Sequence, residues 1–98
     1  MEIETAGKNE ITLKGNIRSI RDYLNIKEAV SRMVENGACR IDVKAPESCT
    51  ITSSVIEFLT KVILQDKVKI TFYVGNCGLY GLLEELELID TLNVVRAA

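Results

Sequence analysis

Hydrophobic and polar residues alternate strictly in three stretches of the chain. Ile11 and Leu13 alternate with Glu10, Thr12 and Lys14; Cys39, Ile41 and Val43 alternate with Arg40, Asp42 and Lys44; Val68, Ile70, Phe72 and Val74 alternate with Lys69, Thr71 and Tyr73. A period of two marks strands that bury one face only. Lys69, Thr71, Tyr73, Arg40, Asp42 and Lys44 are therefore expected on a wet sheet face, and Cys39 reads as a small buried hydrophobe. Strands sandwiched between two helix layers would instead be continuous apolar runs.

Three helical patterns lie between these runs. Ile26, Ala29, Val30, Met33 and Val34 repeat with the helical period, and Asn36-Gly37 is a C-terminal stop. Val55, Phe58, Leu59, Val62 and Ile63 form a second apolar face. Leu79, Leu82, Leu83 and Leu86 form a third after Asn76, a residue suited to capping. Gly7, Lys8 and Asn9 separate a short strand over 2–6 from the next, which predicts a hairpin. A last short strand is expected from about Leu92 to Val95. The later connections contain helices and are long enough for parallel crossovers. These elements predict one domain spanning 1–98: a two-layer α/β arrangement whose mixed sheet of about five strands carries three helices mainly on one face.

The segment from Ile51 to Leu59 joins the second long strand to the second helix through a hydroxyl-rich turn. A serine there can cap the free backbone N–H groups or stand on the surface and receive a phosphate. Ser54 and Glu57 match the S-x-x-E capping box. That assigns Ser54 to the cap and leaves the Ser53 hydroxyl free. Thr50 and Thr52 read as turn residues and as alternative acceptors.

Composition narrows the chemistry. The chain has 98 residues, a net charge of −2 with no basic block, and no histidine. A nucleic-acid partner needs a clustered Lys/Arg footprint, so none is expected. No apolar run approaches the roughly 20 residues of a membrane span, and the N-terminus lacks the basic and apolar regions of a signal peptide, so a cytoplasmic protein without direct membrane insertion is expected. Cys39, Cys49 and Cys77 are widely spaced, with no C-x-x-C pair, and suggest free thiols with no metal site. No basic neighbour of Cys49 or Cys77 is evident along the chain. The commonest general base is missing, and the serine turn lacks the glycines and histidine of a hydrolase elbow. Gly75-Asn76-Cys77-Gly78 lacks the third glycine of a dinucleotide loop. Neither an enzyme nor a bound cofactor is expected.

The element order, with Ile51-Thr52-Ser53-Ser54-Val55-Ile56 at its centre, resembles the STAS domain family of bacterial anti-anti-sigma factors and sulfate-transporter tails. Ile11-Thr12-Leu13-Lys14-Gly15 is similar to the family's second strand and its glycine, and Val74, Asn76, Leu79, Leu82, Leu83, Leu86 and Leu88 to its strand and leucine-rich helix. The resemblance implies a cytoplasmic transcription regulator, an anti-sigma factor antagonist. Such a protein binds a serine kinase that is also an anti-sigma factor, and it is switched by phosphorylation. Ser53 matches the phosphoacceptor, and Thr52, Ser53, Ser54 and Val55 match the partner-binding turn. Thr52 stands where phosphorylated members have Asp, Val55 where they have Gly, Lys44 where they have Ser, and Asn16 where an acidic residue is common. The chain also stops at Ala98, without the final helix of many members. Short STAS proteins that dock on the ATPase of lipid-transport ABC systems, without a phosphoserine, are therefore a second reading. A small-molecule or nucleotide sensor is a third, and pairing of two wet sheet faces in a homodimer stays open.

Overall fold

The computed structural model describes residues 2–7, 9–48 and 50–96. Its elements run β1 (Glu2–Ala6), β2 (Glu10–Lys14), α1 (Ile20–Glu35), β3 (Arg40–Ala45), α2 (Ser53–Gln65), β4 (Lys69–Val74), α3 (Cys77–Glu85) and β5 (Val94–Arg96). The five strands form one sheet in the order β1-β2-β3-β4-β5. β1 pairs antiparallel with β2 as the expected hairpin, and the other three pairings are parallel across helical crossovers. The fold is an α/β fold with a five-stranded mixed sheet and three helices.

Alternation decides which side of each strand is dry. Ile11, Leu13, Ile41, Val43, Ala45, Ile70, Phe72, Val74 and Val94 are buried on one side, where they meet Ile26, Val30 and Met33 of α1, Val55, Leu59 and Val62 of α2, and Leu79 and Leu83 of α3 in one apolar cluster. Removing this surface from water is the main force holding the two layers together. Leu82 and Leu86, expected on the same face as Leu79 and Leu83, are 37% and 50% exposed. The short third helix turns only a narrow stripe to the sheet.

The other sheet face is open and mostly polar, with Val95 of β5 exposed on it beside Tyr73. Thr71, expected to be wet, is buried because Asn93 reaches over it and donates from Nδ2 to Thr71 Oγ1 at 3.3 Å. Elsewhere on this face are three ion pairs: Lys44 with Glu10, Lys14 with Glu4 at 2.9 Å, and Arg40 with Asp42 at 3.7 Å. Carboxylate neighbours raise the pKa of Lys14 and of Lys44, through Glu4 and Glu10 respectively.

Cys39 departs from its expected burial. It lies one residue before β3 and is exposed, although Val68, opposite it ahead of β4, is buried in the core.

Candidate functional site

Side chains from the turn between β3 and α2 tie it to the turn between β2 and α1. Ser48 is fully buried and its Oγ donates to the Gly15 carbonyl at 2.6 Å; Thr50 Oγ1 donates to the Ile17 carbonyl at 3.1 Å. Gly15 accepts this arrangement at φ +90°, a left-handed conformation that glycine adopts freely. The first turn of α2 is thereby set beside the first turn of α1. Thr50 is already engaged, so its hydroxyl is not the free acceptor considered above.

Thr52, not Ser54, caps α2. Its backbone is extended (φ −89°, ψ 153°), its Oγ1 accepts the Val55 N–H at 3.4 Å, and its carbonyl takes the first helical bond from Ile56 at 3.2 Å. Ser53 is the first helical residue, and the Ser54–Glu57 capping box does not form. The reason lies in Val55, which is fully buried. Its N–H is shut away from water and needs an acceptor, and a hydroxyl three residues earlier supplies one. With Ser54 as the cap, that N–H would lack the Thr52 acceptor. The expectation that Val55 contributes to a partner surface is likewise corrected, because its side chain faces the core.

Replacing Thr52 with alanine is expected to cost about 1 kcal/mol in urea denaturation, whereas Ser54→Ala should stay within roughly 0.5 kcal/mol of the parent. Equal losses in both variants would contradict this cap assignment.

Ser53 and Ser54 are both exposed, and neither hydroxyl bonds to another described residue. Successive helical side chains diverge by about 100°. Ser54 turns toward α1 and, with Tyr23, Lys27, Glu57, Phe58 and Lys61, lines a groove between the two helices; Ser53 is not part of that lining. The first turn of α2 contains no acidic residue, so nothing there opposes the positive end of the helix dipole.

The neighbouring α1 has the reciprocal cap that the sequence suggested for α2. Ser19 Oγ accepts the Asp22 N–H at 3.2 Å, and Asp22 Oδ2 accepts the N–H groups of Arg18 and Ser19 at 3.0 and 3.3 Å. The bond from the Arg18 N–H lowers the Asp22 pKa; burial opposes it, and the Ser19 N–H adds to the lowering. A carboxylate with a depressed folded-state pKa contributes stability that is present above its unfolded value and lost as the pH falls through its folded value. Denaturation followed downward from about pH 4 is therefore expected to show a loss of stability that Asp22→Asn lacks. An identical acid limb in the variant would refute this role. Reading the sequence missed this box, although Ser19 and Asp22 have the right spacing and precede an apolar periodic run.

Of the cysteines, Cys49 lies outside the described residues. Cys77 is exposed at the start of α3, and Arg96 Nη2 donates to its Sγ at 3.1 Å. The thiol thus has a basic neighbour that lies 19 residues away in sequence and is brought in by β5. Asn76 caps α3 as expected, its Oδ1 accepting the N–H groups of Gly78 and Leu79 at 2.7 and 3.2 Å.

No protein-family model, curated protein or solved structure matches the chain. Fold and site define it as a small α/β protein with a mixed sheet and an exposed serine pair where a strand hands over to a helix. Among the described residues, no helix is long and apolar enough to cross a membrane.

Proposed function

We propose that the chain is a STAS-type regulator, an anti-sigma factor antagonist that binds a serine kinase/anti-sigma factor in the cytoplasm and is released by phosphorylation of Ser53. One observation carries this reading: Thr52 takes over the capping, which leaves the Ser53 hydroxyl exposed and without a bond to another described residue at the first position of α2. A phosphate there adds roughly −1.5 to −2 charges at the positive end of a helix whose first turn has no acid. The host helix tolerates that charge, so the switch acts at the docking surface by altered charge and bulk, and the domain stays folded.

The test is to incubate the protein with ATP and the candidate host kinase and to map phosphate by mass spectrometry. A single phosphate at Ser53 is expected, with loss of partner binding in Ser53→Asp and an unchanged melting temperature. No modification, together with normal binding by Ser53→Ala and Ser53→Asp, would sink the switch.

Thr52 and Val55 favour a second reading. Both serve the fold, one as a cap and one as core, so the two departures from the phosphorylated pattern have structural work of their own. In this reading the same turn docks on an ABC-transporter ATPase without modification. Co-purification with an ATPase subunit by both wild type and Ser53→Ala would support it.

A further inference from the structure

β1 is an edge of the sheet: it pairs with β2, and the backbone groups along its outer side meet no other strand among the described residues. At five residues it is longer than β5, the three-residue strand at the opposite edge. Its dry side is incompletely covered. Ile11 and Leu13 of β2 are fully buried, but of their register partners on β1, Ile3 is half-buried and Thr5 exposed. Above them, Asn25, Ala29, Arg32 and Asn36 form one stripe of α1, whose apolar member is too short to close the gap. Two hollows of about 530 and 200 Å³ lie there, one reaching Thr5 and Gly7, the other Ile3, and both lined by Ala29 and Arg32. Together they make one groove along the inner side of the free edge.

Edge and groove run together over the same length. The five residues of β1 extend about 17 Å, and the helical rise from Asn25 to Asn36 is about the same. An extended segment laid on β1 would bond to its free backbone groups and drop every second side chain into the groove. Those inward side chains should be uncharged, because the charged residues lining the groove, Arg32 and Glu28, pair with each other. The alternate side chains would fall on the open face, beside Glu2 and Glu4. Across from these two carboxylates β2 supplies one lysine, Lys14, which pairs with Glu4 at 2.9 Å. A second copy of the chain fits this edge badly, since two β1 strands paired antiparallel would set carboxylate against carboxylate. A segment with basic side chains on the open face fits it.

We infer that the free edge of β1, with the groove between it and α1, is the seat for an extended basic segment of a partner protein, which joins the sheet as a sixth strand. Its uncharged side chains enter the groove against Ile3, Thr5 and Ala29, and its lysines or arginines meet Glu2 and Glu4. β2 separates this seat from β3, whose exit leads to the Ser53 turn. The seat therefore does not depend on the function proposed above.

The test titrates a synthetic peptide that alternates valine or threonine with lysine into the isotope-labelled full chain and follows amide shifts by NMR. Shifts should cluster on β1 and at Ala29 and Arg32, and the β1 amides should gain protection from exchange. Affinity should fall by about tenfold in Glu2→Lys/Glu4→Lys, and likewise for a peptide with glutamate in place of lysine. Ala29→Leu, which fills the groove from the helix side, should also weaken binding. Successive N–H groups of a strand point to opposite edges, so of two peptides N-methylated on one or the other alternate set, one should lose binding and the other keep it. No shifts on β1, equal binding of the acidic and basic peptides, equal binding of the two N-methylated peptides, or unchanged binding by Ala29→Leu overturns the inference. Self-association through β1 without peptide also overturns it, because the occupant would then be a second copy. Ser53→Asp should bind the peptide as wild type does, so loss of the phosphorylation switch and loss of this seat are separate results. Glu2 and Glu4 are exposed, and unchanged melting curves verify that the variants are folded.

Discussion

Phe72→Ala is expected to destabilise the protein by about 3–5 kcal/mol, the range for removing a buried phenylalanine and leaving a cavity. Phe72 is fully buried on β4, between β3 and β5, and its register partners are Val43 and Val94. Helices on one side and bonded strands on both edges prevent easy collapse of the space its ring would leave. Total stabilities of small domains are about 5–15 kcal/mol, so the variant would keep only part of its reserve. At roughly 4–8 °C per kcal/mol for a domain of this size, the melting temperature should fall by at least about 12 °C. Urea denaturation of Phe72→Ala and Phe72→Leu reads this directly, with the leucine variant in between. Tyr73→Ala, next along the strand but on the open face, should lose distinctly less. If the two alanine variants lost the same amount, the assignment of the dry face would be wrong.

The second large effect is expected at Gly75. A Cβ built there lies 2.5 Å from the Pro46 carbonyl oxygen and 3.1 and 3.2 Å from Pro46 Cα and C. These are backbone atoms with no flexible end to swing away. Ala45 and Val74 are register partners on β3 and β4, so Pro46 and Gly75 are the next residues of both strands as they leave the sheet. Any side chain at 75 must push apart the exit of β4 and the start of the turn that bears Ser48, Thr50 and Thr52. Gly75→Ala should cost about 1–3 kcal/mol as an overpacking change, and Gly75→Val more. The strain should appear locally as well, as faster amide exchange in the turn before α2. A Gly75→Ala variant with unchanged stability would show that the close approach to Pro46 yields at no cost.

Much of the architecture was legible in the residues. The two-residue alternation set which side of each strand is buried, and the helical repeats of Ile26, Val30 and Met33 and of Val55, Leu59 and Val62 located two helices. Asn76 and Asn36-Gly37 marked helix ends that the structure retains, with Gly37 at φ +89° just past α1. The capping of α2 was harder to read. Two serines, two threonines and a glutamate within a few residues satisfy several capping patterns at once, and local spacing does not rank them. The burial of Val55 ranks them, because its N–H must find an acceptor inside the protein. Ser54 was thereby released from the cap, and Ser53 placed on the first turn of the helix. Thr71 and Cys39 miss their expected environments for a related reason. Alternation reports the side of the sheet, but cover depends on what chain passes over that side.

By itself, then, the sequence determined the elements, their order and the dry face of the sheet, since these follow from periodicity and from propensities within a few residues. Only the tertiary structure decided which hydroxyl caps α2, that Arg96 stands beside Cys77, and that Lys27 and Lys61 share a groove with Tyr23 and Phe58. Each of these joins partners through space, or turns on whether a backbone group is buried. A linear pattern tells which side of an element is dry, but which backbone groups are shut from water and which distant side chains meet is set only when the chain has closed on its core.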